Sequence, residues 1–252
     1  MKKIITGCSV FLFMALLIHG PAVKANAAGT LQFFANGEEL ITQGFLPPKM
    51  TKDGWTLTFS HAFVSLSDIT AYQTDPPYDS HSGQPVSALE EVRLEGIHVV
   101  DLARGSENNP SVFAGEVKGA PAGHYNAISW KMAGDRQGIL AGYTMLLTGV
   151  AEKNGQTVDF RIRTAEESTY RCGEFVGDER KGFLKAGEVA DLEMTFHFDH
   201  IFGRADRDPD DPLNLEAMGF APFADGSRVH EIRLEGMHIG HAGEGHCAVQ
   251  WH

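Results

Sequence analysis

Trp55, Leu57, Phe59, His61 and Phe63 alternate with Thr56, Thr58, Ser60 and Ala62, a period of two that fits a β-strand with one buried face. The pattern returns along the chain. Val92-Arg93-Leu94-Glu95 opens a second strand running to about Leu102. Pro121-Ala122-Gly123 turns the chain into a strand over 124–130, and residues 139–150 form a long aliphatic strand candidate. Asn154-Gly155 is the strongest two-residue hairpin signal, and the chain returns through 157–164. Over 190–198, Leu192, Met194, Phe196 and Phe198 fall on one face. The 28 glycines and 11 prolines punctuate these strands, long helical patterns are absent, and 213–218 forms at most a short helical turn. The expected fold class is all-β: an antiparallel β-sandwich with Ig-like or transthyretin-like layers, long loops and little helix. A hydrophobic content of 42% supports one full core over residues 28–252 as a single domain.

Residues 1–27 read as an address. Lys2 and Lys3 precede the apolar run 4–18, Pro21 breaks it, and Ala25-Asn26-Ala27 supplies an A-x-A cleavage signal. The run is shorter than the roughly 20 residues that a membrane-spanning helix needs. Most of the apolar stretch follows Cys8 rather than preceding it, which argues against a lipid anchor. The expected product is secreted to the periplasm, soluble after signal peptide removal and not inserted in the membrane. With 33 acidic side chains against 21 Lys and Arg, the net charge is −12, and losing Lys2, Lys3 and Lys24 makes it more negative still. Such a chain lacks the basic face that nucleic-acid binding requires, and it repels anionic lipid. Metal ions, and another periplasmic or membrane transport protein, remain as partners.

Export also decides how the cysteines are read. Cys172 and Cys247 remain after the leader is removed. In an oxidising compartment two cysteines predict a disulfide, with a metal thiolate or free thiols as the alternatives.

Imidazole is the commonest protein ligand for zinc and copper, and the histidines of this chain are clustered. The segment His238-Ile239-Gly240-His241-Ala242-Gly243-Glu244-Gly245-His246-Cys247 interleaves three histidines with glycines that let the backbone fold tightly. Phe196-His197-Phe198-Asp199-His200 is the second cluster. On a strand, His197 and Asp199 share a face and either ligate one ion together or act as ligand and outer acceptor. His61 has the parity of Phe59 and Phe63, which predicts a buried imidazole and makes it a ligand in reserve. His81 and His124 have no informative context. Over 204–216 the acidic residues Asp206, Asp208, Asp210 and Asp211 depart from a calcium loop, because Asp211 and Ala217 stand where Gly and Glu are required. A solvated acidic turn is the expectation there.

Residues 91–99, Glu-Val-Arg-Leu-Glu-Gly-Ile-His-Val, recur as 231–239, Glu-Ile-Arg-Leu-Glu-Gly-Met-His-Ile, with six of nine positions identical. The repeat predicts two equivalent strands in two related half-sheets. It also gives His98 and His238 a packing reading beside the ligand reading.

Three stretches appear in order: Thr58-Phe59-Ser60-His61-Ala62-Phe63-Val64-Ser65-Leu66-Ser67-Asp68-Ile69, then Val99-Val100-Asp101-Leu102, then Gly119-Ala120-Pro121-Ala122-Gly123-His124-Tyr125. Over about residues 30–165 the chain thereby resembles MbnP-like periplasmic proteins. The resemblance implies a copper-associated β-sandwich; in that family histidines and an oxidised tryptophan bind copper. None of Trp55, Trp130 or Trp251 matches the context of that tryptophan, so its chemistry is not carried over.

No G-x-S-x-G, H-E-x-x-H or phosphate-loop signature is present, so binding rather than catalysis is expected. The expected function is transition-metal binding, zinc or copper, for trafficking or storage, with ligands drawn from His197, Asp199, His200, His238, His241 and His246. Mixed imidazole and carboxylate donors suit Zn(II) or Cu(II) better than Cu(I). The alternatives are a metal-free periplasmic interaction module and a zinc-dependent hydrolase with Glu244 beside His246 as general base.

Overall fold

A computed structural model describes residues 28–135, 137–173, 181–225, 229–242 and 247–252; residues 1–27, Glu244 and His246 lie outside the described residues. The strands are β1 (Ala28–Asn36), β2 (Thr56–Gln73), β3 (Glu90–Asp101), β4 (Ser111–Pro121), β5 (Gly123–His124), β6 (Ala127–Met132) and β7 (Met145–Lys153). They continue as β8 (Gln156–Thr164), β9 (Ser168–Gly173), β10 (Phe183–Leu184), β11 (Val189–Phe196), β12 (Val229–Glu231), β13 (Gly240–His241) and β14 (Cys247–Trp251). Among the described residues three short helices, α1 (Glu38–Thr42), α2 (Asp199–Phe202) and α3 (Pro212–Glu216), join these strands with a few 3-10 turns.

The fold is the all-β, sandwich-like arrangement expected. One sheet runs β13-β11-β1-β4, and the larger runs β12-β8-β7-β2-β6-β9-β14 with β3 also paired to β2. Two pairings, β1 with β11 and β8 with β12, are parallel, so the sheets are mixed rather than purely antiparallel. A continuous core joins them. Trp130 of β6, fully buried, stacks on Tyr170 of β9 at 5.1 Å and meets Phe196 of β11 edge-on at 6.2 Å. Burying side chains of this size contributes about 1.5–3 kcal/mol each. A second aromatic group, Phe45, Phe59, Phe160, Phe202 and Phe220, packs the end of α2 against the first half of β2.

β2 corrects the reading of His61. Leu57 points inward, the register shifts between Phe59 and His61, and Ala62, Val64 and Leu66 are then the positions that enter the hydrophobic core. A second shift beside Asp68, whose φ is 52°, returns Ile69 and Ala71 to the core. An extra residue in a strand exchanges its faces, so the period of two holds only between bulges. His61 therefore turns outward. Its side chain is 41% exposed, its Nδ1 lies 2.8 Å from Asp101, and its ring stacks on Phe63.

Other expectations are met or amended locally. Asn154 and Gly155 both have positive φ and close the β7–β8 hairpin. The strand expected from 139 begins only at Met145, because Gly138 and Gly142 take left-handed turns before it. The repeat folds alike in burial but not in pairing. Val92 and Leu94 are buried like Ile232 and Leu234, and Gly96 and Gly236 both have positive φ. Residues 91–99 lie in β3, whereas the second copy leaves the sheet after Glu231. There the Glu166 carboxylate accepts the N–H groups of Leu234 and Glu235 and so replaces a neighbouring strand.

Cys172 and Cys247 are bonded across the β9–β14 pair. Among the described residues no helix is long and apolar enough to cross a membrane.

Candidate metal centre

β11 lies between β1 and β13, and the site forms where all three end. In the parallel β1–β11 pair Asn36 is opposite Thr195, so the two chains leave the sheet together; two residues later they deliver Glu38 and His197. On the other side Thr195 is paired with His241, and the His197 N–H donates to the Ile239 carbonyl at 2.8 Å. Gly240 permits this approach: a Cβ there would meet the Tyr170 ring at 2.7 Å.

Residues 197–200 do not continue the strand, which corrects the alternation assigned to them. β11 stops at Phe196 and the chain turns into α2. Phe198, Ile201 and Phe202 are all buried, which is helical spacing, and Gly203 at φ 65° ends the turn. His200 thereby comes round toward His197. Asp199 does not share a strand face with His197. It is buried, with Oδ1 lacking a hydrogen-bond partner among the described residues and Oδ2 3.9 Å from Arg204.

Four imidazoles from the two distant segments meet. Ring centroids are 4.5 Å apart for His197–His241, 4.8 Å for His238–His241, 6.0 Å for His200–His241 and 6.2 Å for His197–His200. His238 also stacks on Tyr170 at 5.8 Å. The Nε2 atoms of His238 and His241 are buried without a hydrogen-bond partner among the described residues. Buried polar atoms are normally paired, so orphans on adjacent rings are the kind of feature that a ligand explains. Among the described residues no three His, Cys, Asp or Glu side chains already stand as a metal-binding group. Coordination by these four imidazoles therefore requires the packed rings to rotate about their side-chain torsions.

The electrostatics favour neutral imidazole, the form that ligates metal. Burial pushes His241 down to about 3, assisted by the neighbouring His197, His238 and His200. Burial likewise lowers His238 and His200. At His197 burial also opposes the charge, but the hydrogen bond and charge of Glu38 outweigh it and the pKa is raised. The Glu38 carboxylate lies 3.1 Å from His197 Nδ1. Glu38 is a non-glycine residue at φ 55°, held there by its N–H to Asn36 Oδ1 at 2.7 Å and by the Thr42 hydroxyl on its carbonyl. Strained backbone of this kind costs energy and tends to be kept where it positions a functional group. No local pattern in the sequence marks Glu38; the parallel pairing alone brings it here. His81 is a further residue whose place the sequence did not indicate, being an electrostatic neighbour of His238.

The other candidates stand apart. Among the described residues His61 makes no ring contact with these four, and His124 stacks on Phe183 at 3.8 Å. His98 Nε2 lies 3.0 Å from the Glu95 carbonyl. Two of the four aspartates of the acidic loop are paired within it, Asp206 with Arg204 and Asp211 with Arg207. Asn214 binds the backbone of Arg204 and Asp208 inside that loop.

Two consequences are measurable. The low folded-state pKa values mean that the unfolded chain, with histidine near 6.5, takes up protons that the folded chain refuses. The stabilisation from these groups is complete above about pH 6.5 and is lost as pH falls toward about 3 for His241. His197 acts oppositely, contributing at low pH and losing its contribution as pH rises through its raised folded value. Urea unfolding of the metal-free protein should show His241 costing about 1 kcal/mol between pH 7 and pH 5, allowing for solvent screening. The His241→Ala protein should show that much less acid destabilisation; an identical slope in the two proteins contradicts the assignment. The second consequence concerns Glu166, whose carboxylate also takes Arg233 Nε at 2.8 Å. Replacing it with Ala should cost about 1–3 kcal/mol and speed amide exchange at Leu234 and Glu235. Exchange unchanged at those amides contradicts its role in docking the His238 segment.

Comparison with protein-family models, with curated proteins and with solved structures returns no match.

Proposed function

We propose that this chain is an exported, periplasmic transition-metal-binding protein that holds zinc or copper through the imidazoles of His197, His200, His238 and His241, for trafficking or storage. The observation that carries the reading is the meeting of four rings from segments about forty residues apart, two of them with buried, unpartnered Nε2 atoms. The lowered pKa values of His241, His238 and His200 support it, since a metal displaces few protons from those rings. Glu38 adds a carboxylate beside His197, and a donor set of imidazole with carboxylate suits Zn(II) or Cu(II). The disulfide and the leader-like residues 1–27 support an oxidising compartment outside the cytoplasm. In such a compartment the natural recipient of the ion is another periplasmic or membrane transport protein.

Calorimetric titration of the tag-free protein with Zn(II) and Cu(II) tests the reading, alongside elemental analysis of protein taken from its native periplasm. Stoichiometric binding tighter than micromolar is expected. Native protein without stoichiometric metal, together with no micromolar binding on titration, overturns it.

A further inference from the structure

A cleft of about 760 Å³ opens where the turn before β2, the β7–β8 hairpin and the loop from Arg204 to Leu215 meet. Its lining is unusual for so acidic a chain. Lys52, Lys153, Arg204 and Arg207 line it with one carboxylate, Asp53, in a protein of net charge −12; Arg204 is held by Asp206 outside the lining, which leaves the two lysines and Arg207 as the cations with N–H groups to spare. That carboxylate is already engaged: it accepts the N–H groups of Phe220 and Ala221 and the Thr51 hydroxyl.

The lysines are not neutralised. Among the described residues neither Lys52 nor Lys153 has an acidic partner; Lys52 Nζ donates to the carbonyls of Asn214 and Ala217, and Lys153 Nζ to that of Asp53. An ammonium carries three N–H donors, so donors remain on both. Arg207, half exposed, makes one long contact with Asp211 at 3.4 Å and keeps further N–H groups for a ligand. The lining also has apolar members, Ala205, Pro209 and Leu215, the last 66% exposed. Clefts of this volume match small-molecule sites, where apolar walls take the body and a few polar groups fix the head.

We propose that this cleft binds a small organic carboxylate with a short aliphatic body, its head on Lys153, Lys52 and Arg207 and its body against Leu215. The inference does not depend on the metal reading.

Amide-detected NMR titration of the protein with hexanoate and with acetate tests it. Saturable shifts at Lys52–Gly54, Lys153 and Ala205–Arg207 are expected, with hexanoate at least tenfold tighter than acetate because of its added methylenes. Lys153→Met and Arg207→Gln should each weaken hexanoate at least fivefold, whereas Lys118→Ser, remote from the cleft, should not. Leu215→Ser should abolish the advantage of hexanoate over acetate. Should Lys153→Met disturb the fold, Arg207→Gln and Leu215→Ser, both at exposed side chains, carry the test. Non-saturating shifts, shifts elsewhere, equal affinity for the two acids, or hexanoate binding unchanged in Arg207→Gln overturns the proposal.

Discussion

The His241→Ala protein is expected to bind Zn(II) and Cu(II) at least a hundredfold more weakly than the parent. His241 is the centre of the group, the one ring that contacts each of His197, His200 and His238. Loss of groups that merely support metal ligands typically costs 10–100-fold, so loss of a ligand itself should cost at least the upper end of that range. The fold should survive, because the Nε2 atom removed has no hydrogen-bond partner among the described residues. Competition against a chromophoric chelator at pH 7 measures the effect, with thermal melting to establish folding. His61→Ala is the matched control: its ring is paired with Asp101 away from the group, and metal affinity should stay within about twofold. Parental affinity in a folded His241→Ala protein, or an equal loss in His61→Ala, contradicts the site.

Removing the disulfide should be the largest single loss of stability. Cys172 and Cys247 are 75 residues apart, and in the chain-entropy model a link closing that loop contributes about 4 kcal/mol. For a domain of this size that corresponds to a fall of about 10 °C in Tm. The pairing is also structural for the site. β9 carries Tyr170, on which His238 stacks, and β14 is tied to β9 just beyond the His238 segment. The Cys172→Ala/Cys247→Ala protein should therefore melt lower and bind metal more weakly. Thiol reduction of the parent should reproduce the melting shift. A reduced protein whose Tm moves by less than about 2 °C contradicts the role given to the bridge.

Where the reading from sequence failed, it failed for a specific physical reason. A bulge leaves little trace in a hydrophobic pattern, so the alternation through Trp55–Phe63 placed His61 inside although one added residue had turned it out. The assignment of His197 and Asp199 to one strand face failed similarly: Phe196 and Phe198 satisfy a period of two, while Phe198, Ile201 and Phe202 satisfy a helical one. The second reading governs because the two phenylalanines and Ile201 all reach the core only if the chain turns. The nine-residue repeat encoded its burial but not its partner, since a carboxylate from Glu166 occupies the hydrogen bonds that a strand would have made.

The sequence alone determined the β architecture, the hairpin at Asn154-Gly155, the pairing of the two cysteines as the favoured outcome, and the histidine segments from which the site is drawn. Each rests on local chemistry: the two-residue period, left-handed turn residues, and residue types suited to an oxidising compartment or to metal ligation. The tertiary structure decided which histidines meet, that Glu38 joins them, and that His61 does not. Those facts depend on the parallel register of β1 on β11 and the short β13 on its other side, pairings between residues far apart in the chain. Such pairings are fixed by packing across the whole core, which no local pattern records.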